Sequence, residues 1–240
     1  MFSANSMVNN HFLRDRKYYK TYRSLYLIAT PLQKARLNPE SMKAKILKSA
    51  RKLFGEYGFH GTTTRMIASD VDIDISTLYY HWGEKGDLYE AVIIDMNDGI
   101  RAKLIEVESI IKGRPLAERI EIAINELVDY LFDHSELSNL TIFRYFTKNR
   151  HDSSFDKRIP EFISDIAYSM ELSQDRNNAS PSAKMMVLTI MNAIHNYVSG
   201  EAFFLPMLEI TRKKYISLTK ETVKFFALSN FIELEEQRKE

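Results

Sequence analysis

The chain has 240 residues, of which 45% are hydrophobic, and its 33 basic and 32 acidic side chains give a formal net charge of +1. That hydrophobic content is ample for a packed core at this length, so a disordered chain is not expected. The near-zero charge argues against a protein that coats nucleic acid through bulk electrostatics, and the absence of cysteine excludes disulfides, thiolate zinc sites and cysteine nucleophiles.

Residues 1–40 differ in composition from the rest of the chain. They carry seven Lys or Arg residues, two acidic residues and four tyrosines. A basic, Tyr-rich arm could contact DNA phosphates or the minor groove. The alternative is a poorly ordered extension or an artefact of an upstream start, since Met42 would make a plausible beginning. We expect the segment to be poorly ordered.

Membrane and export signals are weak in this sequence. The apolar stretch at residues 25–29 follows several basic residues but is shorter than the core of a signal peptide. No apolar run approaches the roughly 18 residues that a membrane span requires. We therefore expect a cytoplasmic protein with no membrane partner.

A basic amphipathic helix is predicted to begin after Ser41, which can cap its first turn, and to close at Tyr57 and Gly58. Apolar residues recur along it at three- and four-residue spacing, from Ile46 to Phe54. Its basic side chains are Lys43, Lys45, Lys48, Arg51 and Lys52. Runs of charged residues usually form a solvated or phosphate-facing surface and seldom contact specific bases. We interpret these five basic residues as such a surface.

A short second helix is predicted over residues 64–70. Thr62 and Thr63 precede it, and either hydroxyl can cap its first turn. Asp72 stands at the turn that follows, where Asp is one of the few residues besides glycine that tolerate a left-handed backbone.

A third helix is predicted to end near residue 81, with Asp74 or Ser76 as its cap. Two short helices behind a bracing basic helix match the helix-turn-helix layout, in which the second helix presents its first residues to base edges in the major groove. Leu78 and Trp82 are expected to point into the small core of this unit. The side chains expected on the reading face are Ile75, Ser76, Thr77, Tyr79, Tyr80 and His81.

A longer helix is predicted to open at residues 83–85, where its first amides and the Lys85 side chain are well placed to hold a phosphate. The pattern over the whole segment is Ala50-x-x-Leu53-Phe54-x-x-x-Gly58-Phe59-x-x-Thr62-Thr63-x-x-x-Ile67-Ala68, followed by Ser76-Thr77-Leu78-Tyr79-Tyr80-His81-Trp82-Gly83-Glu84-Lys85-x-x-Leu88. It resembles the DNA-binding domain of the tetracycline-repressor (TetR) family. Spacing over several elements makes the resemblance far more specific than a single short motif.

The resemblance implies three kinds of DNA contact. Contacts to the DNA backbone at the start of the second helix would come from Thr62 or Thr63 and from Arg65. Phosphate contacts would come from Thr77, Tyr79 and Lys85. Contacts near the bases would come from Ser76, Tyr80 and His81.

The reading segment departs from the family pattern at three positions. Asp72 and Ser76 stand where the family usually has glycine, and Ile75 stands where a basic residue is common. Asp70 and Asp74 add further negative charge nearby. Direct base readout is therefore expected to be sparse, with DNA shape supplying part of the specificity.

The rest of the chain is expected to be all-α. Apolar residues recur at helical spacing between the breaks, as in residues 120–131, and no sustained alternation competes with that pattern. We expect a helix-turn-helix domain over residues 41–92, a helical ligand-binding and dimerisation domain over 93–230 and a charged tail over 231–240. The TetR resemblance implies a homodimer through the last two long helices, and two-fold symmetry would set two reading helices about one DNA turn, or a multiple of it, apart.

The resemblance also implies a ligand cavity in the second domain. Its polar candidates are His134, Arg144, Tyr145, Tyr168, Asn192, His195, Asn196 and Tyr197. The helical spacing of Asn192, His195 and Asn196 places them on one face, where hydrogen bonding in a core or an interface is the alternative. Arg144 could meet an anionic ligand or form a surface salt bridge.

The sequence favours a repressor that a small-molecule effector releases from a palindromic operator in double-stranded DNA. Two alternatives stay open: a ligand-independent architectural DNA-binding protein, and a degenerate helix-turn-helix protein that acts as an interaction module. No Glu-x-x-His pair, phosphate-binding glycine loop or Gly-x-Ser-x-Gly motif occurs in the sequence. An enzyme, a catalytic residue, a metal site and a cofactor are therefore not expected.

Overall fold

The structure is a computed structural model that describes residues 30–146 and 159–237, with side chains described over 30–145 and 162–228. Every regular element in those ranges is an α-helix, which confirms the all-α prediction. The helices are α1 Pro31–Leu37, α2 Met42–Gly61, α3 Thr64–Asp70, α4 Ile75–Trp82, α5 Lys85–Ile111, α6 Leu116–Asp133, α7 Ser135–Phe146, α8 Ile159–Ser169, α9 Pro181–Ser199, α10 Glu201–Leu208 and α11 Arg212–Gln237. Within the described part of the chain, no helix combines the length and the hydropathy needed to cross a lipid bilayer.

Helix α1 lies inside the segment that the sequence predicted to be poorly ordered. Thr30 and Gln33 form a reciprocal capping box at its first turn, which satisfies two backbone amides. Leu32 and Ala35 are buried against the core, and the Arg36 guanidinium donates to Asp95 at 2.8 Å and to another α5 carboxylate at 3.0 Å. The prediction is thus wrong for residues 31–37, because these apolar and charged partners lie far away in the sequence. The basic arm at residues 14–23 lies outside the described residues.

Helices α2, α3 and α4 form the helix-turn-helix unit. The Ser41 hydroxyl caps α2 by accepting from the Ala44 amide at 3.2 Å. Gly58 breaks the helical path inside α2 with φ of 68°, close to the predicted helix end. Asp72 has φ of 54°, so the left-handed turn expected at this position is present. The largest fully buried side chains of the unit are Phe54, Ile46, Ile67 and Leu78.

Helix α5 belongs to both parts of the molecule. Its first turns bury Leu88 and Val92 beside the helix-turn-helix unit, and its last turns bury Val107 and Ile111 in the second part. Helix α6 packs between α5 and α11, and α7 packs between α2 and α9. One buried cluster runs from α1 through the helix-turn-helix unit to α11. The last turns of α5 belong to a separate buried cluster, in which Val107 and Ile111 pack with Ala123 of α6.

Candidate nucleic-acid interface and ligand cavity

The first turn of α4 is held by Asp74, which decides between the two caps that the sequence allowed. Its Oδ1 atom accepts from the Thr77 amide at 2.7 Å and from the Ser76 hydroxyl at 2.5 Å. These hydrogen bonds, that of Ser76 foremost, lower the pKa of Asp74. The carboxylate is thus ionised at neutral pH, and the Ser76 proton points at it rather than outward.

The two faces of α4 have opposite character. Leu78 is fully buried and Trp82 nearly so, and the Trp82 indole donates to the Lys43 carbonyl oxygen at 3.1 Å. Tyr80 is 84% exposed and Tyr79 is 43% exposed on the outer face. Aromatic side chains left in solvent beside a well-packed core mark a surface available for contact.

Thr62 and Thr63, which stand just before α3, differ in burial and in role. The Thr62 side chain is fully buried, and its hydroxyl lies within hydrogen-bonding distance of the carbonyl oxygens of Leu53 and Gly58, at 2.9 and 2.8 Å. Thr63 is the exposed cap, and its hydroxyl accepts from the Met66 amide. Thr62 therefore offers DNA no side-chain atom in this arrangement, whereas Thr63 and the exposed Arg65 lie on the surface.

The Lys85 ammonium group ties the start of α5 to the end of α2. It donates to the carbonyl oxygens of Phe59 at 3.0 Å and Thr62 at 3.1 Å, and it lies 4.3 Å from the centroid of the Phe59 ring. An ammonium group has three protons, so two such bonds leave one for a further acceptor. The sequence resemblance implied the phosphate role of Lys85 but gave no sign of this structural role.

His81 lies at the end of α4 beside Lys43. The Lys43 ammonium group donates to the His81 carbonyl oxygen at 2.7 Å and lies 3.2 Å from Nδ1 of the imidazole ring. Burial, and then the positive charge of Lys43, lower the pKa of His81. The ring is therefore neutral at neutral pH, with Nδ1 as an acceptor for Lys43.

A joint of charged groups connects α2 to α7. Arg51 donates to Glu136 at 2.6 Å and lies 3.3 Å from Nδ1 of His134, whose ring is tilted by 52° against that of Tyr130 at a centroid distance of 4.5 Å. A Cβ atom built at Gly55 would lie 2.5 Å from that of Glu136, so only glycine permits this approach of the two helices. The structure thus places His134 beside Arg51 and Glu136, between α2 and α7. No local sequence signal marks Glu136 or Gly55 as partners, because the two residues lie far apart in the chain.

The remaining ligand candidates do not converge. Asn192 and Asn196 are exposed on α9, whereas His195 is buried with Nδ1 2.9 Å from the Ser138 hydroxyl. Burial lowers the pKa of His195 to about 4, so this side chain is a neutral core histidine at neutral pH. Tyr145 and Tyr168 are exposed, while Arg144 and Tyr197 are half-buried.

A cavity of about 100 Å³ lies between α5, α6 and α8, and none of those candidates is among its described lining residues, although Tyr168 lies beside Arg176 of its wall. Nine of its lining side chains are apolar, including Leu104, Leu127, Phe162 and Met170. The other lining residues are Arg101, Glu108, Asp165, Ser169 and Arg176. Polar residue types give no sign of this cavity in the sequence, because most of its described wall is made of apolar side chains that resemble ordinary core.

An exposed apolar surface covers parts of α9, α10 and α11. Phe203 on α10 is 72% exposed. The other exposed side chains of this surface are Met185, Met207, Leu208, Phe225 and Phe226. Several large apolar groups in solvent on neighbouring helices are typical of a protein–protein contact surface.

These features define an all-α protein in which a helix-turn-helix unit is joined by one long helix to a larger helical part with an apolar cavity. Residues 46–92 match the model described as "Bacterial regulatory proteins, tetR family". The helix-turn-helix unit and the first turns of α5 thus match the tetR family, which confirms the family resemblance over this part of the chain.

Two curated proteins are similar to parts of the chain. The "Probable HTH-type transcriptional regulator YttP" of Bacillus subtilis is 29% identical over 107 residues, which cover 45% of this chain and 51% of that protein. The "Biofilm operon icaADBC HTH-type negative transcriptional regulator IcaR" of Staphylococcus aureus is 47% identical over 49 residues, 20% of this chain and 26% of that protein. The chain therefore spans about half, or less, of the length of these relatives.

Solved structures extend the likeness of fold over most of the chain. A transcriptional regulator from Rhodococcus sp. Rha1 has a TM-score of 0.58 at 15% identity and covers 79% of this chain and 97% of its own. The regulator FadR of Bacillus subtilis, in complex with stearoyl-CoA, has a TM-score of 0.53 at 14% identity and covers 77% of this chain and 97% of its own. At these identities the likeness concerns the fold alone.

Proposed function

We propose that the chain is a cytoplasmic, DNA-binding transcriptional repressor that occupies a palindromic operator as a homodimer and leaves it when a small molecule binds. The observation that carries the proposal is the two-faced α4, which buries Leu78 and Trp82 and exposes Ser76, Tyr79 and Tyr80 beside a capped first turn. This is the geometry with which a reading helix enters the major groove.

The DNA-contacting set is Thr63, Arg65, Ser76, Thr77, Tyr79, Tyr80, His81 and Lys85. Positive charge for the phosphates comes from Arg65, Lys85 and the exposed lysines of α2. Lys52 pairs with Asp70 at 3.2 Å, which offsets part of the acidic charge near the turn. Because the Ser76 proton is directed at Asp74, Ser76 meets a base as an acceptor, and its partner is an exocyclic amino group.

Release from DNA follows from the position of α5. This helix starts beside the reading helix and lines the cavity with Leu104 and Val107 in its last third. An effector that binds better to a shifted α5 moves the two reading helices of the dimer out of register with successive major grooves. By reciprocity, operator DNA then lowers the affinity for the effector.

Self-association uses the exposed apolar surface of α9, α10 and α11. Covering Phe203, Phe225 and their neighbours with a second copy removes a large apolar area from water, and a two-fold axis makes one surface serve both subunits. The dimer supplies the second reading helix that a palindrome requires.

Selection of bound sequences from random double-stranded DNA tests the proposal. A short palindrome is the expected result, and affinity for it should fall steeply as salt is raised because phosphate contacts release counterions. Broad binding without a palindrome would favour an architectural protein, and no binding would favour an interaction module. A Tyr79→Ala variant should bind the palindrome more weakly while remaining dimeric by light scattering, and a Tyr145→Ala variant is the matched exposed control.

A further inference from the structure

Among the described residues that line the cavity, the formal charges sum to zero. Arg101 and Arg176 contribute two positive charges, and Glu108 and Asp165 contribute two negative ones. The deeper wall is apolar, with Val107, Ile111, Ala123 and Leu127 all buried. A molecule that enters therefore meets a balanced set of charges first and hydrocarbon afterwards.

Both guanidinium groups already have partners. Arg176 donates from Nε to Asp165 at 2.8 Å and from its two terminal nitrogens to the two oxygens of Glu108 at 3.2 Å each, so all three guanidinium nitrogens face a carboxylate. The same group lies 5.7 Å from the centroid of the Tyr168 ring, and Arg101 lies 6.0 Å from that of Phe162. The Arg176 cluster thus links α5, α8 and the segment between α8 and α9.

We infer that the cavity takes an uncharged, mainly apolar small molecule, and that Arg176, Glu108 and Asp165 exclude charged analogues by neutralising one another. This inference names the ligand class for the effector of the proposed function and rests on that proposal. An anionic head group would have to displace a carboxylate from Arg176, and a cationic one would have to displace Arg176 from its carboxylates. Either ion would lose hydration without gaining a free partner, whereas a hydroxyl group loses little.

Three probes with the same six-carbon tail test the inference on the full chain without DNA: 1-hexanol, hexanoate and hexylammonium at neutral pH. Binding is measured by a ligand-observed NMR titration. Saturable binding of 1-hexanol at least about fivefold tighter than of either ion is the expected result, a ratio that corresponds to roughly 1 kcal/mol. Equal or tighter binding of hexanoate or hexylammonium, or no saturable binding of 1-hexanol, overturns the inference.

A matched pair of variants locates the binding. Ile105 lines the cavity and Ile94 does not, although both lie on α5 and are about equally exposed. Ile105→Trp should abolish binding of 1-hexanol, while Ile94→Trp should leave it unchanged. Equal effects of the two variants would mean that 1-hexanol binds elsewhere, which overturns the inference.

Two charge variants test the exclusion directly. Arg176→Gln leaves Glu108 and Asp165 without their cation, so hexylammonium should gain affinity relative to 1-hexanol. The double variant with Glu108→Gln and Asp165→Asn leaves Arg176 unpaired, so hexanoate should gain instead. Opposite changes support the inference, and a loss of all three probes in both variants, with folding intact by circular dichroism, contradicts it.

DNA release is measured separately, so that the two proposals can fail independently. If the chain binds an operator but no probe binds as described, the ligand class is wrong and the regulator stands. If 1-hexanol binds selectively to a chain that binds no DNA, the ligand class stands and the proposed function is wrong.

Discussion

Arg51 on α2 donates a hydrogen bond of 2.6 Å to Glu136 on α7, and this pair joins the helix-turn-helix unit to the second part of the molecule. Both side chains are 23% exposed, so the pair is partly shielded from water. Removing one partner of such a pair leaves a charge that is neither solvated nor paired.

The first prediction concerns this pair. Glu136→Gln should lower the free energy of unfolding by about 2 kcal/mol, between the values of surface and buried pairs. Glu118→Gln is the matched control, because Glu118 pairs with Arg114 one turn away on an exposed surface, and its loss should cost less than about 0.5 kcal/mol. Urea unfolding of the three proteins measures both values. Equal losses would mean that the joint contributes no more than a surface pair.

The second prediction concerns the close approach of α2 and α7. Gly55→Ala places a Cβ atom 2.9 Å from the Glu136 Cα atom, which forces the two helices apart and should cost about 1–3 kcal/mol. Gly86 lies in α5, and a Cβ atom added there would meet nothing within 4 Å, so Gly86→Ala should stabilise the protein by about 0.5–1 kcal/mol. Thermal unfolding of both variants should therefore shift in opposite directions, and a neutral Gly55→Ala would contradict the tight contact.

The third prediction separates the neighbouring threonines. Thr62→Val removes a fully buried hydroxyl with two carbonyl oxygens in reach and should cost about 1–2 kcal/mol of stability, while operator affinity of the folded protein stays unchanged. Thr63→Ala removes a helix cap and a proposed DNA contact, so stability should fall by about 1 kcal/mol and operator affinity should fall as well. A loss of operator affinity in folded Thr62→Val would show that Thr62 acts on DNA after all.

The fourth prediction uses salt to compare two basic residues. Arg65→Gln should reduce the slope of log affinity against log salt by about one and leave unfolding unchanged, because the side chain is exposed. Lys85→Gln should reduce that slope and also destabilise the protein, since it breaks the bonds to the Phe59 and Thr62 carbonyl oxygens. Binding titrations at several salt concentrations measure this slope for each variant. An unchanged slope in Lys85→Gln would remove Lys85 from the phosphate-contacting set.

The fifth prediction concerns pH. The pKa of His195 falls from an ordinary value of 6.5 to about 4 on burial, so the unfolded chain binds a proton there over an interval in which the folded chain does not. Stability from this group is present above about pH 6.5 and is lost as pH falls towards 4, by up to about 3 kcal/mol. His195→Gln should flatten that part of the profile of unfolding free energy against pH. Parallel profiles for the two proteins would contradict the lowered pKa.

The helix-turn-helix unit could be predicted from the sequence because its determinants are local. Caps such as Ser41, the left-handed turn at Asp72 and the apolar spacing around Phe54 act over three or four residues, and each is found in the structure. Local signals left only the choice between neighbouring helix caps open, namely Asp74 or Ser76 for α4 and Thr62 or Thr63 for α3. Because Thr62 is buried and Thr63 is exposed, Thr63 is the residue that caps α3.

Features that depend on contacts between distant segments of the chain are visible only in the tertiary structure. Arg51 and Glu136 are 85 residues apart in the chain, so no spacing rule connects them. Asn192, His195 and Asn196 share a helical spacing, but the packing of α9 against α7 buries His195 and leaves the two asparagines in water. The cavity likewise exists only where α5, α6 and α8 meet. Sequence periodicity determines which helices form, whereas side-chain packing between helices determines which residues become a site.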